Sequence, residues 1–140
     1  MALGSPYVVV RWRGLLAPLA TAAAALCATA YVAEVDPNHA GHYPTCPLLY
    51  LTGHPCPGCG SLRAIHDLAT GRLDAAIHRN PLTVLAVPLL VGIWVLWARR
   101  SASGRPRTSV APPWLLWTLL GVILAFWLLR NLPGFGALGP

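Results

Sequence analysis

Three uninterrupted apolar runs constrain this chain more than any other feature. Gly14 to Ala33 (GLLAPLATAAAALCATAYVA), Leu82 to Ala98 (LTVLAVPLLVGIWVLWA) and Val110 to Leu129 (VAPPWLLWTLLGVILAFWLL) hold 20, 17 and 20 residues without a charge. A helix rises ~1.5 Å per residue and a bilayer core is ~30 Å thick, so each run nearly or fully spans it. Lipid offers the backbone no hydrogen-bond partners, which makes the helix the form such runs take. A buried core helix would account for one run, hardly for three. The content of 56% hydrophobic and 10% charged residues in 140 agrees. The expected fold is an all-α integral membrane protein, a single membrane domain over 1–140. Its transmembrane helices lie at about 14–33, 81–98 and 112–130.

A formal charge of +6 raises nucleic acid as a partner, and the placement of the charges excludes it. There is no lysine, and the arginines sit beside the apolar runs: Arg11 and Arg13 before the first, Arg99, Arg100, Arg105 and Arg107 between the second and third. All four acids (Glu34, Asp36, Asp67, Asp74) fall between the first and second runs. Arginine-rich short loops stay cytoplasmic, so the N-terminus and the basic 99–109 loop are expected inside and the 34–80 segment outside. Trp12, Trp94, Trp97, Trp114 and Trp117 group near the inner interface, Tyr31 and Trp127 near the outer one. The first run, followed by Ala28-Thr29-Ala30, also admits a cleavable signal peptide, although its length exceeds a usual signal core. Cleavage leaves the 34–80 segment outside all the same. Small residues from Ala17 to Ala28 allow close packing of the first helix on its neighbours or on a second copy.

The 34–60 stretch (EVDPNHAGHYPTCPLLYLTGHPCPGCG) is rich in Pro, Gly, His and Asn and reads as a structured loop. From Ser61 the pattern turns helical. Leu62, Ile65, Leu68 and Ala69 share one face, with Ser61 as N-cap and Gly71 as stop, and RLDAAIHR follows as a second short segment. These are expected to be interfacial helices in the first extracytoplasmic loop, too polar to span. Asn80-Pro81 opens the second span with a cap and a first-turn proline. Pro88 predicts a packing kink within it.

Chemistry concentrates in Cys46, Cys56 and Cys59. Cys27 lies in the first span, where a thiol behaves as a small apolar group. Cys56-Pro57-Gly58-Cys59-Gly60 has the form of a metal knuckle, in which the glycine permits a tight turn with amides aimed at sulfur. A tetrahedral zinc site needs four ligands, and the candidates here are Cys46, Cys56, Cys59 and His66, with His54, His42 and His39 also within reach. A dithiol at a helix start beside Arg63 would instead favour thiolate and disulfide exchange. Outside the cytoplasm Cys46 could also bridge Cys56 or Cys59 as a structural disulfide. All three readings stay open at this point. Arg63 and Asp67, four apart, read as a helix-surface ion pair. No Ser-His-Asp or His-Glu-x-x-His spacing occurs, and no ionisable side chain lies inside a span to couple ions or protons.

The stretch CPLLYLTGHPCPGCGSLRAIHDLATGRLDAAIHRNPL, Cys46 to Leu82, resembles the bacterial membrane-protein family catalogued as domain of unknown function 2752. Cys46, Cys56, Pro57, Cys59, Gly60, Arg63, Ala64, Gly71, Ala76, Asn80 and Pro81 match its pattern. Leu62 stands where the family usually has threonine. The resemblance implies a small multi-pass protein of the bacterial inner membrane and carries no activity with it. The leading expectation is a non-catalytic protein in contact with the lipid bilayer. Its cysteine knuckle would stabilise a surface facing lipid, a membrane-protein partner or a second copy. There Pro57 and Gly60 shape the turn, Arg63 satisfies its carbonyls or a headgroup, and Asn80 caps the second span. Thiol-disulfide exchange through the Cys-x-x-Cys pair and zinc binding are the alternatives.

Overall fold

The computed structural model describes residues 12–39, 41–103 and 112–133, with side chains from Gly14 onward. Arg11, Arg105, Arg107 and the side chains of Trp12 and Arg13, all used above to orient the chain, lie outside the described residues. Among the described residues six helices follow one another: α1 (Trp12–Glu34), α2 (Pro47–Thr52), α3 (Ser61–Ala69), α4 (Leu73–Arg79), α5 (Pro81–Ala102) and α6 (Pro113–Arg130). Three of them, over Gly14–Glu34, Pro81–Ala102 and Pro113–Arg130, are long and apolar enough to cross a membrane. At ~1.5 Å per residue the shortest reaches ~27 Å and the longest ~33 Å. The all-helical fold with three candidate spans and short helices between them is as expected from the sequence. α5 runs on past Ala98 to Ala102, because Arg99 and Arg100 are good helix formers and nothing stops the helix before Ser103.

α1 and α5 pack as an antiparallel pair. At one end Gly14 lies so close to the Ser101 carbonyl that a Cβ would collide with it. One turn inward, Trp94 Nε1 donates to the Pro18 carbonyl at 3.1 Å. At the other end the α3–α4 hairpin packs against both α1 and α5. His66 Nδ1 is 2.9 Å from the Val32 carbonyl there, and Ser61 Oγ is 2.7 Å from Thr83 Oγ1. That second bond corrects the expected cap. Gly60, at φ 84°, is the N-cap of α3, and the Ser61 hydroxyl is turned to α5.

The buried face of α3 also differs from the apolar face read from its periodicity. Ala64, His66 and Asp67 are buried, whereas Leu62 is exposed. In lipid surroundings this inversion is physically sound, since apolar side chains lose nothing by facing outward and polar ones need partners inside. Asp67 finds its partners on the hairpin: Arg72 Nη2 at 2.7 Å and Arg79 Nε at 3.8 Å. The expected Arg63–Asp67 pair therefore does not form. Gly71, at φ 78°, makes the sharp reversal from α3 to α4 without a Cβ clash.

Candidate cysteine site

The turn from Pro55 to Gly60 is held between side chains at the N-terminal end of α5 and the C-terminal end of α6. Two prolines leave it with few amides, and those of Cys56 and Cys59 bond within the turn. Cys56 N–H donates to Cys59 Sγ at 3.2 Å, and Cys59 N–H to the Cys56 carbonyl at 3.1 Å. Its carbonyls are each met by a donor. Asn80 Nδ2 lies 3.0 Å from the Pro57 carbonyl and 3.1 Å from that of Cys59. Arg130 Nη1, from the last residue of α6, reaches the Cys56 carbonyl at 3.0 Å and the Cys59 carbonyl at 3.1 Å. Trp127 Nε1 and Asn131 Nδ2 both donate to the Pro55 carbonyl at 3.1 Å. Gly58 accepts from the Ser61 amide at 3.0 Å. The back of the turn is thereby tied off, which leaves the sulfurs on its free side.

Asn80, fully buried, also accepts from the Thr83 amide at 3.1 Å and so caps α5 as the sequence indicated. Arg63 makes none of the carbonyl bonds foreseen for it. Arg130, Trp127 and Asn131 make them together with Asn80, and the sequence reading had given the first and third of these no role. One signal for Arg130 was present: an arginine at the far end of the third span, away from the basic cluster, needs a local reason to be there. It also corrects the statement that no ionisable side chain lies within a span, since Arg130 closes α6 and is only 4% exposed. Its guanidinium lies 5.2 Å from the Phe126 ring centroid, a cation–π distance.

The third cysteine arrives on a separate segment. Tyr43 Oη donates to the Val35 carbonyl at 3.1 Å and its ring meets Tyr31 edge-on at 6.4 Å. These contacts bring Tyr43 back onto the end of α1. Cys46 then stands at the N-cap of α2, with Pro47 in the first turn. Its Sγ joins those of Cys56 and Cys59, all within 4.8 Å of one another, and the Cys56–Cys59 pair is at 3.3 Å. All four cysteines are free thiols, with Cys27 away from the group on α1. His66, named beforehand as a fourth ligand, is turned to Val32, with Nε2 3.8 Å from Asp36 Oδ1. It does not join the sulfurs.

The three thiols are unequal. The Leu49 amide at the start of α2, and then the neighbouring Cys56 and Cys59 thiols, hold Cys46 down to about 7. Burial, followed by the neighbouring Cys56 and Cys46 thiols, pushes Cys59 up to about 12. A cation among the sulfurs would offset the charge that this burial opposes.

Comparison with curated proteins and with solved structures finds no match to the chain. A family model does match, over residues 46–94, which include the three clustered cysteines, the turn, the α3–α4 hairpin and more than half of α5. The matched segment closes on Trp94, the residue that binds α5 to α1. Over these residues the chain carries the domain of the family described as "Protein of unknown function (DUF2752)".

Proposed function

We propose that this protein is a multi-pass membrane protein whose three-cysteine cluster holds one thiolate-seeking divalent cation, zinc foremost. The reading rests on a single observation: sulfurs from two separate chain segments converge within 4.8 Å of one another. Zinc–sulfur bonds of ~2.3 Å at tetrahedral angles put ligand sulfurs about 3.8 Å apart. The present separations, 3.3 Å for Cys56–Cys59 and no more than 4.8 Å for any pair, bracket that spacing. A disulfide would use two of the three thiols and leave the convergence of the third unexplained. Thiolate ligands select zinc and copper(I) over harder ions such as magnesium and calcium.

The ion's role in this reading is structural. It clasps the Cys46 segment to the Cys56–Cys59 turn, and the turn is tied in its place by α5 and α6. The knuckle so formed shapes a surface at one end of the three spans. Basic residues flanking the opposite ends favour an inner bacterial membrane orientation with the N-terminus cytoplasmic and the cysteines outside. The protein is non-catalytic in this account.

Metal analysis of detergent-purified protein, prepared without chelator, tests it. One zinc per chain is expected, falling below a tenth of that in Cys46→Ser, Cys56→Ser and Cys59→Ser alike. Full metal content in Cys46→Ser, or no metal in the parent protein, would refute the three-sulfur site.

A further inference from the structure

Three protein sulfurs leave a tetrahedral ion one coordination position short. Within the described residues the cluster contains no histidine or carboxylate to fill it. The three cysteines instead form one wall of an open cleft of about 440 Å³, with Arg63, His39, Tyr43 and Leu49 also lining it. That volume lies within the range of small-molecule sites. Among the described residues, none that lines the cleft is acidic.

Arg63 lines the same cleft as the three sulfurs. The turn's carbonyls are taken by Arg130, Asn80, Trp127 and Asn131, and Asp67 is taken by Arg72 and Arg79. Arg63 is left half-buried, without a hydrogen bond or ion pair among the described residues. A cation that shares a cleft with a soft metal position favours a ligand that carries both a soft donor and a negative charge.

We propose that this cleft binds a small anionic thiol, whose sulfur completes the metal's coordination and whose carboxylate pairs with Arg63. The inference rests on the metal reading above. On binding, the thiol gives its proton to solvent and its sulfur replaces a water on the ion, with no change in oxidation state.

The test uses the full chain in detergent, loaded with cobalt(II) in place of zinc and desalted, and follows the thiolate-to-cobalt charge-transfer band. Mercaptoacetate, mercaptoethanol and acetate are titrated in separate experiments. Mercaptoacetate is expected to raise the band in a saturable way, reversibly on desalting and with cobalt retained on the chain. Mercaptoethanol should do so more weakly and acetate not at all. Arg63→Gln should keep the parent spectrum, which shows an intact site, and weaken mercaptoacetate about fivefold, the upper end for an exposed ion pair. It should leave mercaptoethanol unchanged. Three results overturn the proposal: no response to either thiol by the cobalt-loaded chain, equal binding of the two thiols, or a response that appears only in His39→Ala. Any of them leaves the three-sulfur site standing. Failure of cobalt to bind, or equal binding by Cys46→Ser, removes the metal site and this proposal together.

Discussion

Asn80 turns its two polar atoms to different partners, Oδ1 to the first turn of α5 and Nδ2 to the cysteine turn. Asn80→Ser keeps a capping oxygen and loses the donor to the turn, so the Pro57 and Cys59 carbonyls are left short of a partner at a cost of ~1–3 kcal/mol. Asn80→Ala loses the cap as well, for about 1 kcal/mol more. Thermal unfolding in detergent, followed by tryptophan fluorescence, should rank the parent above Ser and Ser above Ala. Equal midpoints for all three would show that the turn does not depend on this side chain. Cys46 permits a second residue-scale prediction, in protein stripped of metal by chelator. Its thiol ionises near 7, below the ordinary 9.0, so the folded chain gains stability as pH rises from 7 towards 9. That contribution is lost as pH falls through 7. The shift at Cys59 has the opposite sign, and its thiol stays protonated throughout that range. Alkylation read by peptide mass spectrometry should be half-maximal near pH 7 at Cys46 and negligible at Cys59 up to pH 9. Faster reaction at Cys59 than at Cys46 would contradict the asymmetry.

Among the elements, α1 and α5 depend on a glycine and an indole. Gly14→Leu forces a side chain into the Ser101 carbonyl and must part the helices at that end. Trp94→Phe removes one bond to Pro18, worth ~1 kcal/mol. Gly14→Leu is expected to lower the unfolding midpoint more than Trp94→Phe, and the reverse order would mean that the helices do not meet as described. α6 is tied differently, through Trp127, Arg130 and Asn131 to the cysteine turn. Arg130→Met, which keeps the stem and loses the donors, should therefore loosen α6 and weaken metal retention together. The spans were legible because each is a continuous run whose length alone matches the bilayer. The turn was legible because its residues are adjacent. The partners of Arg130 and Asp67 were not. Cys59 is 71 residues from Arg130, and no local period reports such a contact. The i,i+4 spacing that suggested Arg63 for Asp67 was outcompeted by the α3–α4 reversal, which brings Arg72 and Arg79 closer. The residues that α3 buries, Ala64, His66 and Asp67, were not legible either, because its apolar periodicity reports one face of the helix and not which face packs on α1 and α5.

At the scale of the whole molecule, the ends of α1, α5 and α6 that carry the cysteine site all lie together, and Gly14 and Ser101 mark the opposite end. A membrane-impermeant maleimide on intact cells should then label Cys46 in metal-stripped protein and spare a Ser103→Cys probe in a Cys46→Ser background. The converse pattern would reverse the proposed orientation while leaving the fold unchanged. The central claim, that three sulfurs share one ion, is tested most directly by X-ray absorption at the zinc edge of the purified protein. About three sulfur neighbours at ~2.3 Å is the predicted result, with too little zinc left on Cys46→Ser to give that shell. A shell of nitrogen and oxygen only, or the same sulfur count with and without Cys46, would contradict it.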